Sequence, residues 1–103
     1  MYLVRETMFC KPGKAKPLVE MFLAMSKLSA TTSMPKMRVM TDFTAERYWT
    51  VVSEMEVENL QAFEEMISGK GMDPEMGKKL DEIMKGYHDL VESGRREIYR
   101  IEG

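Results

Sequence analysis

The stretch YLVRETMFCKPGKAKPLVEMFLAMSKL, residues 2–28, decides how the chain folds. Tyr2 to Cys10 predicts a strand. Its odd positions are Leu3, Arg5, Thr7 and Phe9 and its even ones Tyr2, Val4, Glu6, Met8 and Cys10, so both faces are mixed. Lys11-Pro12-Gly13-Lys14 ends it, because proline brings no ladder N–H and glycine permits the positive φ of a sharp turn. Pro17 fits only in an opening helical turn, which puts the helix start near Lys14 to Lys16. Leu18, Met21 or Phe22, Met25 and Leu28 then recur at helical spacing, widened by Leu23 and Ala24, with Lys14, Lys16, Glu20 and Lys27 outward.

Ser29 to Pro35 reads as a linker, and two strands follow: Met37 to Asp42, and the β-prone run Arg47 to Met55, joined by the short Phe43–Glu46 connection of a hairpin. Val57 to Ser68 returns to helical spacing, with Val57, Leu60, Phe63 and Ile67 on one side, and Gly69-Lys70-Gly71 breaks it. Asp73-Pro74-Glu75 is a strong helix start: N-cap, proline at the first helical position, acid at the positive end of the dipole. Leu80, Ile83, Met84 and Tyr87 form its apolar side, Ser93-Gly94 closes the region, and Arg95 to Glu102 is the fourth strand.

Strand, helix, strand, strand, helix with a helical extension, strand is the split β-α-β order of a ferredoxin-like α+β fold. It implies a four-stranded antiparallel sheet, strands one and three central, with the helices on one face and a single domain over residues 1–103. The other face stays open. The third strand offers Trp49, Val51 and Met55 one way and Tyr48, Thr50 and Val52 the other, so the open face is semi-apolar and a second copy of the chain is its simplest cover.

Composition narrows the function classes. The 103 residues are 44% apolar and carry a net charge of −2, which advertises neither nucleic acid nor membrane as a partner. Residues 1–50 hold eight basic and four acidic side chains, and residues 51–103 seven and thirteen, a polarity expected to lie on solvated faces. The one cysteine, Cys10, excludes an intramolecular disulfide and reads as a buried thiol near a strand end. No run of apolar residues is long enough to cross a bilayer and no signal peptide stands at the N-terminus, so the cytoplasm is the expected location. There are twelve methionines. Met34, Met37 and Met40 have the spacing of soft-metal ligands, but on a strand Met37 and Met40 point to opposite faces, so the methionines are read as core filler and no metal is expected.

Arg5-Glu6-Thr7-Met8-Phe9-Cys10-Lys11-Pro12-Gly13-Lys14 with its helix, the hairpin ending in Trp49 to Glu56, and Gly94-Arg95-Arg96-Glu97-Ile98-Tyr99 together resemble the dimeric α+β barrel proteins, in their NIPSNAP-like and antibiotic-biosynthesis-monooxygenase-like branches. That resemblance implies a homodimer with sheets packed face to face and a ligand pocket between sheet and helices in each protomer. The haem-degrading branch uses an Asn on the first strand with Trp and His. Here Glu6 and Thr7 stand in that neighbourhood, and Trp49 and His88 remain as residue types only.

Four residues are the candidates for catalysis. His88 has the only side chain that titrates near neutrality when unperturbed, and Arg5, Tyr48 and Tyr99 are strand residues able to hold a carboxylate or enolate and donate hydrogen bonds. Glu54, Glu56 and Glu58 alternate and read as a solvated acidic edge, and no phosphate loop or nucleophile elbow is present. The leading expectation is a homodimer binding a small, partly apolar organic molecule, as a cofactor-independent monooxygenase of a quinol-type substrate. The alternatives are a non-enzymatic dimerisation or ligand-sensing module and a haem-binding protein.

Overall fold

A computed structural model describes residues 1–70 and 72–103, so the expected break at Gly71 lies outside the described residues. Strand β1 is Tyr2–Cys10, helix α1 Ala15–Ser29, β2 Met37–Thr41, β3 Thr50–Val57, α2 Leu60–Ser68, α3 Pro74–Ile83, then a 3-10 turn at Tyr87–Asp89 and β4 Val91–Arg100. The sheet order is β2-β3-β1-β4, antiparallel throughout, so strands one and three are central as the split β-α-β order requires.

Register settles which parity faces what. Val4 lies opposite Met55 and Ile98, and Met8 opposite Val51 and Gly94. These even rows of β1 pack under the helices, while Arg5, opposite Glu54 and Glu97, stands on the open side. Met37 and Met40 fall on opposite faces, one packed against the core and the other on the open side.

The core has two parts. Cys10, Leu18, Phe22 and Val51 are buried under α1, joined from the far end by Met84, Tyr87 and Leu90. Val4, Val57 and Phe63 are buried under α2, with Met55 and Met66 beside them. Between the two runs a polar rung across the same face of the sheet: buried Ser53 opposite Glu6, and Glu6 ion-paired with Arg96, whose guanidinium lies 5.3 Å from the Phe63 ring centre. Complete burial of Leu18, Val4 and Val51 contributes about 1.5–3 kcal/mol each.

Several boundaries differ from the expectation. β3 begins at Thr50, not Arg47, because Thr50 donates its N–H to the Asp42 carboxylate at 2.9 Å and its hydroxyl to the Arg47 carbonyl at 2.8 Å, which closes residues 42–50 into a loop. Trp49 sits in that loop with φ 59°, a left-handed conformation rare for a bulky residue, and its carbonyl accepts from Cys10 N at 2.8 Å. Val57 ends β3 instead of opening α2, whose cap is Asn59, its side chain accepting from Ala62 N at 2.8 Å. α2 turns Phe63 and Met66 inward and leaves Leu60 and Ile67 exposed, as α1 leaves Leu23. α3 stops at Ile83, and Gly86 at φ 84° starts the 3-10 turn. Ser93 and Gly94 are not a closing loop but lie within β4, paired with Phe9 and Met8.

Candidate functional site

The open face carries a charged ladder across the sheet. Glu54 on β3 stands between Arg5 on β1 and Arg38 on β2: Arg5 Nε donates to Oε2 at 2.6 Å and an Arg38 guanidinium nitrogen donates to Oε1 at 2.9 Å. Its side chain is only 8% exposed. Burial by itself pushes the carboxyl pKa up, and the hydrogen bonds from Arg5 and then Arg38 outweigh that, so the carboxyl sits below its ordinary value. The Glu54 hydrogen bond in turn raises Arg5. The ladder continues to Tyr99, whose ring centre is 5.5 Å from the Arg5 guanidinium and whose hydroxyl donates to Glu97 Oε2 at 2.8 Å, a bond that raises the phenol pKa.

Three hollows are relevant. On the open face, a cavity of about 330 Å³ lies between the ladder and the loop at Ala45–Arg47, with Thr7, Phe9 and Arg95 in its wall and the Arg47 guanidinium 4.3 Å from the Phe9 ring centre. At the end of the sheet a hollow of about 600 Å³ is formed by Ala15, Lys16 and Val19 of α1 against Thr41, Asp42, Tyr48 and Trp49. At the opposite end of β3, a groove of about 650 Å³ runs between the α1–β2 linker, the end of β3, α2 and the start of α3. Its apolar wall is largely methionine: Met1, Met34, Met66, Met72 and Met76, with Pro35 and Val57. Ala62, Glu65 and Met66 reach it from one stripe of α2, as i, i+3 and i+4 positions must, and Gly69, the cap that follows the helix, joins them.

Of the four candidate side chains, the fold brings Arg5 and Tyr99 together and leaves the others apart. Tyr48 is exposed and lines the hollow by Trp49. His88 is exposed in the 3-10 turn, its ring 4.0 Å from that of Tyr87, and lines none of the three hollows. None of these three hollows therefore offers the His88 imidazole to a haem iron. Cys10 is buried, and burial pushes its thiol pKa up, away from nucleophilic use.

Two features escaped the sequence. Glu54, read as part of an acidic edge with Glu56 and Glu58, is a buried bridge between two arginines. The signal was the opposite charges of Arg5, Arg38 and Glu54 on three strands, legible only with the register. The methionine groove escaped because its walls come from segments far apart in the chain, each of which reads as ordinary core.

No protein-family model matches the sequence, and no curated protein is significantly similar to it. Solved structures do share its fold. An uncharacterized NIPSNAP domain protein from Burkholderia xenovorans superposes with a TM-score of 0.72 at 11% identity, over 99% of this chain and 95% of that one. A NIPSNAP family protein from Agrobacterium tumefaciens gives 0.72 at 12%, over 99% and 94%. An antibiotic biosynthesis monooxygenase gives 0.67 at 11%, over the full length of both. The α+β architecture is thus the one these proteins have. Among the described residues, no helix is long and apolar enough to cross a membrane.

Proposed function

From a fold shared with NIPSNAP domain proteins, we propose that this chain is a homodimer, packed through the open faces of its sheets, in which each protomer binds one small, partly apolar organic molecule. The observation that carries the reading is the methionine groove. Its volume of about 650 Å³ is that of small-molecule sites, and unbranched thioether side chains adapt to a ligand's shape without rebuilding the backbone. The dimer is supported by an open face that alternates apolar Leu3, Phe9, Met40 and Val52 with the Arg5–Glu54–Arg38 ladder. On such a face a second copy removes apolar area from water while the charges keep their partners. The test is light scattering at micromolar concentration combined with a ligand screen read by thermal shift. A monomer that no small molecule stabilises would end this reading.

A second reading, cofactor-independent oxygenation of a quinol-type substrate, draws on the monooxygenase that shares the fold and on the adjacency of Arg5 and Tyr99 beside the open-face cavity. In it the substrate's own carbanion reacts with oxygen and the Arg5 guanidinium steadies the enolate, while His88, the base expected from the sequence, lies outside that cavity. Oxygen uptake with quinol substrates tests it. Uptake that is lost in Arg5→Ala and kept in His88→Ala would support this reading, and no uptake at all would leave the binding protein alone.

A further inference from the structure

We propose that the methionine groove selects an organic cation, an amine or quaternary ammonium carried on an apolar body. The inference deepens the small-molecule reading and rests on it.

The groove's charge is as distinctive as its methionines. Most of its wall comes from the stretch between Glu56 and Met76, which carries Glu56, Glu58, Glu64, Glu65, Asp73 and Glu75 against a single basic residue, Lys70. Glu56, Glu58, Glu65 and Asp73 line the groove itself. Among the described residues none of the six carboxylates is held in an ion pair, whereas Glu6, Glu54, Glu92 and Glu97 elsewhere each are. Glu65 accepts only from the Gln61 amide at 3.3 Å, and Asp73 from the Glu75 backbone N–H at 3.1 Å. The rest of the wall is Met1 and the segment Thr32 to Pro35, whose side chains are neutral.

Among the described residues no arginine lines the groove, so an anionic ligand would meet several carboxylates with only the Lys70 side chain to offset them. A cation meets the reverse: carboxylates at the edge for its charge, and soft, polarizable thioethers for its apolar part. The apolar body supplies the burial and the field supplies the sign. Neither the groove nor the acidic stretch would specify this ligand alone.

The experiment uses the full chain with its methionine methyl groups labelled with carbon-13. Octyltrimethylammonium, below its micellar concentration, is titrated against octanoate, an anion with an apolar body of similar size. The expected result is a saturable shift of the Met34, Met66, Met72 and Met76 methyl signals with the cation and not with octanoate. Affinity should fall roughly three- to fivefold in each of Glu58→Gln and Glu65→Gln, the weight of one carboxylate several ångströms away in a partly solvated site. It should also fall as salt is raised. Both residues lie outside the buried core, and unchanged circular dichroism verifies that the variants fold. Equal or better binding of octanoate would overturn the cation preference and leave the small-molecule reading standing. Methyl signals that neither probe moves would overturn both. Signals that follow protein concentration instead of either probe would assign the groove to a second copy of the chain and overturn the proposal.

Discussion

Replacing Glu54 by glutamine keeps the shape of the side chain and removes the charge that Arg5 and Arg38 share. At pH 7 two charge-assisted hydrogen bonds, 2.6 and 2.9 Å long, lose their ionised acceptor, and the new amide turns one donor toward a guanidinium. Hydrogen bonds to charged groups contribute about 1.5–3 kcal/mol each. Burying Glu54 works against that, and Arg5 and Arg38 are 37% and 71% exposed, so solvent screens both. The net expectation is a loss of about 1–3 kcal/mol, seen as a fall of roughly 0.5–2 M in the urea midpoint. The pH dependence separates this cause from general damage. Because the folded carboxyl titrates below its unfolded value of about 4.3, its contribution is complete above that value and is lost as pH falls through the depressed folded one. The gap between wild type and Glu54→Gln, measured at fixed protein concentration, should therefore be widest near neutrality and close as pH drops below about 4. A gap that stays constant down to pH of about 3 would refute the reasoning.

Further expectations concern packing and assembly. Gly94→Ala places a Cβ 2.8 Å from Met8 Sδ and 3.1 Å from the Thr7 carbonyl oxygen, and should cost about 1–3 kcal/mol by urea unfolding, with part restored in the double variant Met8→Val/Gly94→Ala. Leu18→Ala empties a fully buried position between α1 and the sheet and should cost about 2–5 kcal/mol in the same assay. Asn59→Ala removes the cap of α2 and should cost about 1 kcal/mol, visible as reduced helical ellipticity before the main transition. The chain should sediment as a dimer at micromolar concentration, and reversing the ladder with Glu54→Arg should shift it to monomer. A monomeric wild type would remove the basis for the dimer.

The fold was legible where local chemistry was strong, and less so where partners across the sheet decide. Pro12-Gly13 and Pro17 bracket the start of α1, and Asp73-Pro74 starts α3 where the sequence says. Val57 looked helical because it stands three residues before Leu60, yet pairing with Tyr2 keeps it in β3. Ser93-Gly94 looked like a loop because glycine usually breaks a strand, but here it is the residue that fits against Met8. Leu60 and Ile67 looked buried on periodicity, and are exposed because α2 sits on the sheet through Phe63 and Met66. The site was harder still. Parity along one strand cannot say which face meets the helices, so Arg5 and Tyr99 could be named but not brought together until the β1–β4 register was known.

The polar rung of Glu6, Ser53 and Arg96 separates the two apolar clusters, which predicts that α2 and the strand ends beneath it open as a unit smaller than the molecule. Opening that unit exposes Val4, Val57 and Phe63 while Leu18, Phe22 and Val51 stay dry. Amide exchange in α2 should therefore proceed by a partial opening of lower free energy than the global transition, and exchange in α1 should not. Since α2 is also one wall of the methionine groove, the rung gives a ligand a way to raise protection locally: binding would slow exchange in α2 before it moves the midpoint of the whole chain.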